Sequence, residues 1–355
     1  MSDGSRRTVL DVRNLKKHFP IEKGLFRRVV GHVKAVDGVS FQVAAGETLG
    51  LVGESGCGKT TLGRCILRAI EPTDGAITYT DRDGTSVEIT TLDYQNLRRV
   101  RKNMQMIFQD PYSSLDPRMT VLDIVGEPLR GYKIAEGRER ESRVKEAMRR
   151  VGLEISHLKR YPHAFSGGQR QRIGIARALS TDPDLIVADE PVSALDVSVR
   201  AQILNLLLDL QEELSLTYLF VSHDLSVVRH IADRVAVMYC GELVELGSTR
   251  LVFDLPHHPY TEALMSAVPK PDPEILMDRI ILPGEVANPA DPPSGCPFHP
   301  RCRYARDVCA AEKPPLRELS DGRLAACHFS EELDLKGLAQ IRAARGDTVP
   351  GDDTT

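Results

Sequence analysis

Hydrophobic and polar positions alternate through the first part of the chain, as in half-buried strands. The segment VLDVRNLKKHF (9–19) predicts one strand and GVSFQVAAGETLGLVG (38–53) predicts two more, with the basic, Gly-containing segment 21–32 as a loop between them. A helical pattern over 58–70 should end at Pro72. The stretch AITYTDRDGTSVEI (76–89) predicts a hairpin that turns at Asp83-Gly84.

The pattern becomes helical between residues 108 and 165. In ESRVKEAMRRVGL, the apolar residues Val144, Met148 and Val151 share one helix face, and strand patterns are missing from this stretch. We therefore expect a helical subdomain inserted between strands.

Strands and helices alternate again from residue 169. A helix over 169–180 leads into Leu185–Ala188, which is too apolar to be half exposed and suits a parallel strand covered on both faces. The segment 201–215 predicts a helix with Ile203, Leu206, Leu207, Leu210 and Leu214 on one side. A buried strand (218–224) and a hairpin that turns at Gly241 follow. The fold class is therefore α/β.

Prolines become dense beyond residue 255, where four of the seven cysteines also lie. We expect a main α/β domain over 8–254, a small Cys-rich unit over 255–330 that cannot build much of a core alone, and a disordered tail over 331–355.

Composition narrows the class of protein. The chain has 355 residues and a formal net charge of −4, which does not point to a nucleic-acid binder. No apolar run approaches the roughly 20 residues needed to span a bilayer. Because the N-terminus MSDGSRRTVL lacks an apolar signal core, we expect a cytosolic chain.

The segment Gly53–Thr61 (GESGCGKTT) follows an apolar strand and precedes a helix, which is the pattern and the context of a phosphate-binding loop. Glycines let backbone N–H groups surround an anion, and the helix N-terminus adds a positive dipole. Lys59 can reach the β- and γ-phosphates, and the Thr60 hydroxyl can ligate Mg²⁺. The predicted nucleotide-binding residues here are Gly53, Glu54, Ser55, Gly56, Cys57, Gly58, Lys59, Thr60 and Thr61.

A second candidate site is the pair of carboxylates at the end of the strand 185–188. Asp189 is predicted to hold Mg²⁺, directly or through water, and Glu190 to polarise an attacking water. Acidic residues at strand ends are also common helix caps, so this interpretation depends on its pairing with the phosphate loop.

The segment FSGGQRQR (165–172) lies between these sites, and with it the chain resembles the ATP-binding subunits of ABC transporters. Phe165 stands where the family's LSGGQ-type signature usually has leucine. The resemblance implies a P-loop NTPase fold with a RecA-like core, an antiparallel β subdomain and the inserted helical subdomain. It also implies a head-to-tail ATPase pair, in which Ser166, Gly167, Gly168 and Gln169 of one subunit contact the nucleotide held by the other.

Further family positions occur in order along the chain. The resemblance makes Gln109 the Q-loop residue that senses Mg²⁺ and water, Asp196 part of the D-loop, and His223 the switch histidine on the γ-phosphate. Phe19 is the candidate for stacking on adenine, although a single aromatic before a strand is more often a core residue. The expected catalytic residues are Lys59, Gln109, Glu190 and His223, and the expected Mg²⁺ ligands are Thr60, Gln109 and Asp189.

Sequence beyond residue 255 resembles the C-terminal extension of oligopeptide and dipeptide importer ATPases, on HHPYTEAL (257–264) and GCPFHPRC (295–302); SLDPRMTV (114–121) adds to the match. The resemblance is close to the F-type subunit, which pairs with a D-type sister ATPase. It implies two transmembrane permease subunits, an extracytoplasmic peptide-binding protein and a peripheral place on the cytoplasmic face of the membrane. Relatives that import nickel or glutathione leave the substrate class open.

Four cysteines of this unit, Cys296, Cys302, Cys309 and Cys327, can ligate zinc or an iron–sulfur cluster. The wide gaps between them favour a [4Fe–4S] cluster, since structural zinc sites usually contain closer pairs. Four reduced, unliganded thiols are the plain alternative. His299 and His328 are interpreted as neighbours rather than ligands.

The expected function is therefore ATP hydrolysis that drives peptide import, with ATP, Mg²⁺ and a [4Fe–4S] cluster as cofactors. Two rival functions are a soluble ABC ATPase of DNA repair or translation and an exporter subunit. Long coiled-coil arms or a second ATPase unit would favour the first rival, and neither is visible in the sequence. The Cys-bearing extension argues against the second.

Overall fold

The structure is a computed structural model that describes residues 6–24, 26–268 and 280–338. Its strands are β1 (Thr8–Lys23), β2 (Arg28–Ala44), β3 (Thr48–Val52), β4 (Asp74–Thr80), β5 (Ser86–Glu88), β6 (Met104–Ile107), β7 (Leu185–Asp189), β8 (Thr217–Val221), β9 (Arg234–Tyr239), β10 (Glu242–Ser248), β11 (Arg317–Glu318) and β12 (Leu324–Ala325). Its α-helices are α1 (Lys59–Ile66), α2 (Tyr94–Arg101), α3 (Val121–Gly131), α4 (Gly137–Arg150), α5 (Gly167–Leu179), α6 (Val197–Leu214), α7 (Leu225–Ile231), α8 (Thr249–Asp254), α9 (Pro259–Ser266) and α10 (Asp307–Ala311).

The strands form two sheets. An antiparallel sheet has the order β2-β1-β4-β5, and the hairpin β4–β5 turns where the sequence predicts it, with Gly84 at φ 83°. The larger sheet has the order β11-β12-β10-β9-β3-β8-β7-β6, and its segment from β9 to β6 is parallel. Every residue of β3, β7 and β8 is buried, as their apolar sequences predict.

Neighbouring parallel strands bring the candidate site together. β8 lies between β3 and β7 in the sheet. The phosphate loop follows β3, Asp189 ends β7, and His223 follows β8 shortly after its end. Because the carboxyl ends of parallel strands meet at one edge, three segments distant in sequence converge there.

The prediction of a loop over 21–32 is wrong for most of that segment. β1 and β2 continue as one long hairpin, with Ile21 opposite Gly31 and Lys23 opposite Arg28. Phe26 is 85% exposed, and Val29 and Val30 are also exposed. Backbone pairing does not require a buried face, so this arm lacks the alternation of apolar residues by which half-buried strands are found.

The helix of 58–70 also ends earlier than predicted. Its last regular residue is Ile66, and Arg68 adopts a left-handed conformation with φ 51°. The Ala69 N–H then donates to the Arg64 carbonyl, which closes the end of the helix before Pro72. A short helix that was not predicted, α2, is capped by the Asp93 side chain, which accepts a hydrogen bond from the Asn96 N–H.

The helical subdomain is present as predicted, since no strand occurs over 108–165, all of which is described. Val144, Met148 and Val151 are fully buried and face α3 and α5 in the main core cluster. On α6, Ile203, Leu207 and Leu210 are buried. Leu206 and Leu214 are partly buried against the same cluster.

The C-terminal extension, defined as residues 255–268 and 280–338, shares both sheet and core with the preceding residues. β12 pairs with β10 and so adds β12 and β11 to the larger sheet. Phe298 and Leu338 belong to the main core cluster. Leu335 and Leu338 are only 3% and 7% exposed, so part of the predicted tail is packed against the rest of the protein. The rest of that prediction lies outside the described residues, and the boundary at 254 stays a prediction.

Among the described residues, no helix combines the length and apolar character that crossing a bilayer requires.

A matched pair of phenylalanines tests the core. Phe220 in β8 is fully buried, so Phe220→Ala should lower the free energy of unfolding by about 3–5 kcal/mol. The same change at the exposed Phe26 should stay within about 0.5 kcal/mol of wild type. Urea unfolding of the three proteins measures both effects, and equal losses would contradict the placement of β8 in the core.

Candidate functional site

The loop that follows β3 runs so close to two neighbouring strands that it leaves no room for side chains at two glycines. Gly53 has φ 152°, and a Cβ there would lie 2.2 Å from the Met238 carbonyl oxygen. Gly58 has φ 108°, and its Cβ would lie 1.9 Å from the Ala35 carbonyl oxygen. Only glycine fits at these positions, so the spacing of the motif follows from packing as well as from ligand chemistry.

Lys59 is folded onto this loop. Its Nζ donates to the carbonyl oxygens of Gly53 and Glu54 at 2.7 and 2.9 Å, and the residue is only 5% exposed. Cys57 Sγ lies 3.6 Å from the same Nζ. The Lys59 ammonium group thus lies against two backbone carbonyls of the loop, where it can pair with phosphate oxygens.

Thr60 and Asp189 meet across the sheet edge. The Thr60 hydroxyl donates to Asp189 Oδ1 at 2.9 Å. Burial raises the pKa of Asp189 above its ordinary value, and the hydrogen bond from Thr60 opposes that rise. A hydroxyl beside a buried carboxylate is a donor set that suits Mg²⁺, as the sequence predicts.

Glu190 lies between the two other predicted catalytic side chains. Gln109 Nε2 donates to Glu190 Oε2 at 2.8 Å, and His223 Nδ1 lies 3.0 Å from Glu190 Oε1. The amide and the imidazole orient the carboxylate from both of its oxygens. The structure therefore brings Gln109, Glu190 and His223 into one network, which a carboxylate that positions water would need.

The backbone of Glu190 is strained. Its φ of 46° lies in the left-handed region, which costs of order 1–3 kcal/mol for a residue with a side chain. The N–H of Glu190 donates to the Val221 carbonyl, and the Ser193 hydroxyl and N–H both donate to the Glu190 carbonyl. These bonds hold the turn and direct the side chain towards Gln109 and His223.

The signature segment (residues 165–169) begins α5 through a capping box. Ser166 Oγ accepts from the Gln169 N–H at 3.4 Å, and Gln169 Oε1 accepts from the Ser166 N–H at 3.1 Å. A Cβ on Gly168 would approach Val199 to 2.5 Å. Within the described parts of the chain, no hydrogen bond or ion pair joins this segment to the loop 53–61. The structure does not bring Ser166–Gln169 and the phosphate loop together.

The remaining predicted contacts lie at the periphery. Phe19 is 36% exposed on β1 with Lys17 Nζ 4.9 Å from its ring centroid, so it is a surface aromatic and not a core residue. Asp196 is the N-cap residue of α6. Ser55 and Gly56 are exposed, Gly167 is partly buried, and Thr61 lies in the first turn of α1.

Glu54, predicted to contact nucleotide, directs its side chain elsewhere. Arg301 of the extension donates to both carboxylate oxygens, at 2.7 and 3.0 Å. The Glu54 N–H donates to the Tyr260 hydroxyl at 2.8 Å. Neither Tyr260 nor Arg301 could be assigned this contact from the sequence, because motif spacing cannot show which distant side chain meets a variable position of the loop.

Tyr260 is held by the histidine that precedes α9. His258 Nδ1 accepts from the Tyr260 N–H at 3.0 Å. Burial lowers the pKa of His258 to about 3, so its ring is neutral and can accept at this nitrogen. His258 thus helps to place Tyr260 so that its hydroxyl lies within hydrogen-bonding distance of the phosphate loop.

The four clustered cysteines line one small cavity, with Phe298 and Phe329 among its walls. Burial raises the pKa of Cys296 to about 12 and of Cys302 to about 11, so these thiols are protonated at neutral pH. Among the described residues, no three His, Cys, Asp or Glu side chains form a group that could hold a metal ion. The predicted iron–sulfur cluster is therefore not confirmed.

Solved structures share this architecture. The ATP-binding cassette MJ0796, whose dimeric structure in a post-hydrolysis state holds ADP and Pi, aligns with a TM-score of 0.58 and 30% identity, covering 68% of this chain and 99% of that one. CbiO1 from Clostridium perfringens, part of the ABC transporter complex cbiONQ, aligns with a TM-score of 0.58 and 26% identity, covering 70% and 91%.

Family and sequence comparisons agree with the fold. The ABC transporter family matches residues 36–193, and the oligopeptide/dipeptide transporter C-terminal region matches residues 244–309. The oligopeptide transport ATP-binding protein AppF of Bacillus subtilis is 53% identical over 332 residues, which is 93% of this chain and 99% of AppF. The dipeptide transport ATP-binding protein DppF of Haemophilus influenzae is 51% identical over 319 residues, covering 90% and 96%. The chain therefore belongs to the ATP-binding proteins of ABC transporters, in the group that carries the oligopeptide/dipeptide transporter C-terminal region.

Proposed function

We propose that this chain is the ATP-hydrolysing subunit that energises import of dipeptides or oligopeptides through a membrane ABC transporter. The observation that carries the proposal is the convergence of Lys59, Asp189 and Glu190, with Gln109 and His223 on Glu190, at one sheet edge. Relatives named as oligopeptide and dipeptide transport ATP-binding proteins, matched over nearly their whole length, supply the substrate class.

In the reaction, water attacks the γ-phosphate of ATP, the bond from the γ-phosphorus to the bridging oxygen breaks, and ADP and inorganic phosphate are released. The backbone of residues 53–61 and the N-terminus of α1 bind the phosphates, and Lys59 offsets charge on the β- and γ-phosphates. Thr60, Asp189 and Gln109 are the residues that would hold Mg²⁺, which supplies further charge compensation when bound. Glu190 orients the water and accepts its proton, while His223 positions the γ-phosphate.

A second ATPase subunit completes the site. Ser166 and its signature segment lie at a helix N-terminus that is not joined to the loop 53–61 of the same chain, which suits a head-to-tail pair in which each subunit serves the other's nucleotide. The partners are a sister ATPase, two permease subunits reached through the Gln109 region, and a peptide-binding protein outside the membrane. The subunit itself lies on the cytoplasmic face as a peripheral protein.

The extension would hold a [4Fe–4S] cluster. Four thiols around one cavity are the donor set of such a cluster, whose ligands stand further apart than those of a single ion. The cavity measures about 20 Å³, room for about one water, so the thiols must move apart on loading. A bound cluster would cross-link a segment with little core of its own.

Two glycines test nucleotide binding by the loop. Gly58→Ala places a Cβ against the Ala35 carbonyl and should abolish MgATP binding, measured by titration calorimetry on the full chain. Gly174→Ala in α5 is the control, because nothing lies within 4 Å of its Cβ and alanine favours a helix. Wild-type affinity in a folded Gly58→Ala protein would contradict the proposed site.

Turnover in the assembled transporter tests the role of Glu190. Glu190→Gln should retain MgATP and lower hydrolysis by about 10²–10⁴-fold, because the amide cannot accept a proton. Glu213→Gln is the control, since that side chain is 60% exposed on α6. Phosphate release measures both variants, and unchanged turnover in Glu190→Gln would remove it from the role of base.

Iron and sulfide analysis after anaerobic reconstitution tests the cysteines. The wild type should bind about four iron atoms and absorb broadly in the visible range, and Cys309→Ala should lose both. Cys65→Ala, altered in α1 within the other core cluster, should keep them. A folded wild-type protein that stays colourless, or that takes up zinc alone, would rule the cluster out.

A further inference from the structure

Arg301 of the extension contacts the candidate site through Glu54. Its guanidinium forms a two-pronged ion pair with Glu54, the residue after the first glycine of the phosphate loop. Only 7% of Arg301 is exposed, whereas 27% of the Glu54 side chain is, so the pair is partly shielded from solvent and from salt. Bidentate geometry fixes the direction of the carboxylate as well as its distance.

The surroundings of Arg301 hold it in place. It ends the 3₁₀ turn His299–Arg301, which lies between Cys296 and Cys302. The His299 N–H donates to the Cys296 carbonyl at 3.0 Å, and the Cys302 N–H donates to the His299 carbonyl at 3.2 Å. Tyr239 contacts the guanidinium from the side, with its hydroxyl 3.5 Å from Nη1. The arginine is therefore presented to the loop by a fixed turn.

Glu54 in turn is held from three directions. Its carboxylate accepts from Arg301, its N–H donates to Tyr260, and its carbonyl accepts from Lys59. Two of these partners come from the extension. The sequence pattern of the loop leaves this position variable, so the contacts belong to this chain and not to phosphate loops in general.

We propose that Arg301 is a positioning residue for nucleotide binding, acting through Glu54 with help from Tyr260. This inference rests on the proposed binding of nucleotide to residues 53–61. Arg301 acts in two ways: it fixes the loop before the phosphates arrive, and it neutralises a carboxylate that would otherwise repel them. The extension thus takes part in nucleotide binding. The packing of the turn between Cys296 and Cys302 sets the position of Arg301, and Arg301 in turn sets the position of Glu54 in the phosphate loop.

Affinity for MgADP, measured by titration calorimetry on the full chain, tests the proposal. Arg301→Gln leaves the partly buried Glu54 carboxylate without its cationic partner, and should weaken MgADP binding by about tenfold or more. Arg301→Lys keeps the positive charge but loses the two-pronged geometry, so its affinity for MgADP should lie between those of Arg301→Gln and wild type. The double variant Glu54→Gln/Arg301→Gln removes the repulsion but not the loss of positioning, so it should bind MgADP more tightly than Arg301→Gln and more weakly than wild type.

Arg303→Gln is the matched control. Arg303 lies two residues further on and also pairs with a carboxylate, Glu262, but that pair stays within the extension. It should bind MgADP within about twofold of wild type, since independent sites do not couple. Melting temperatures without nucleotide show whether each variant is folded. Affinities for MgADP are compared only among variants whose melting temperatures lie within a few degrees of that of Arg303→Gln.

Three outcomes overturn the proposal. These are wild-type affinity in folded Arg301→Gln, equal weakening by Arg301→Gln and Arg303→Gln, and a double variant that binds MgADP no more tightly than Arg301→Gln. If Arg301→Gln fails to fold, Arg301→Lys and the double variant decide between the same outcomes. Loss of MgADP binding in Gly58→Ala together with wild-type affinity in Arg301→Gln would reject this inference alone, whereas no effect in either would reject the nucleotide site itself.

Discussion

Close packing of one loop against two strands is the constraint on which the rest of this structure depends. The backbone at Gly53 passes the Met238 carbonyl, and the backbone at Gly58 passes the Ala35 carbonyl, at distances that exclude any Cβ. The larger sheet supplies Met238 and the antiparallel sheet supplies Ala35. The phosphate loop therefore sits at the junction of the two sheets, and its shape depends on both.

Much of this arrangement could be predicted from sequence because it rests on local patterns. The apolar stretches that became β3, β7 and β8 are too apolar to be half exposed, and the motifs at their ends place Lys59, Asp189 and His223 at one edge. The helical subdomain shows its period through Val144 and Met148. In each case the prediction rests on a residue spacing that burial or the chemistry of the site requires.

The rest depends on contacts that leave no periodic trace. The outer part of the β1–β2 hairpin is paired but has no buried face, so no alternation marks it. Arg301 looks like an ordinary surface arginine in sequence, yet it is buried against a residue 247 positions earlier. The left-handed backbone at Glu190 is also invisible in sequence, since glutamate has no preference for that conformation. The packing of Leu335 and Leu338 could not be predicted for a similar reason, because two leucines make no periodic pattern.

Pairing between β10 and β12 has a consequence for how the protein can be divided. All interior residues of β10 are buried, and Leu246 and Glu245 are bonded to the short strand contributed by the extension. A chain that ended at residue 254 would lose β12 and would expose the unpaired amide and carbonyl groups of β10, an apolar strand. Exposed strand edges of this kind can pair with strands of other molecules. Because β12 pairs with β10, the extension covers the edge that β10 would otherwise expose.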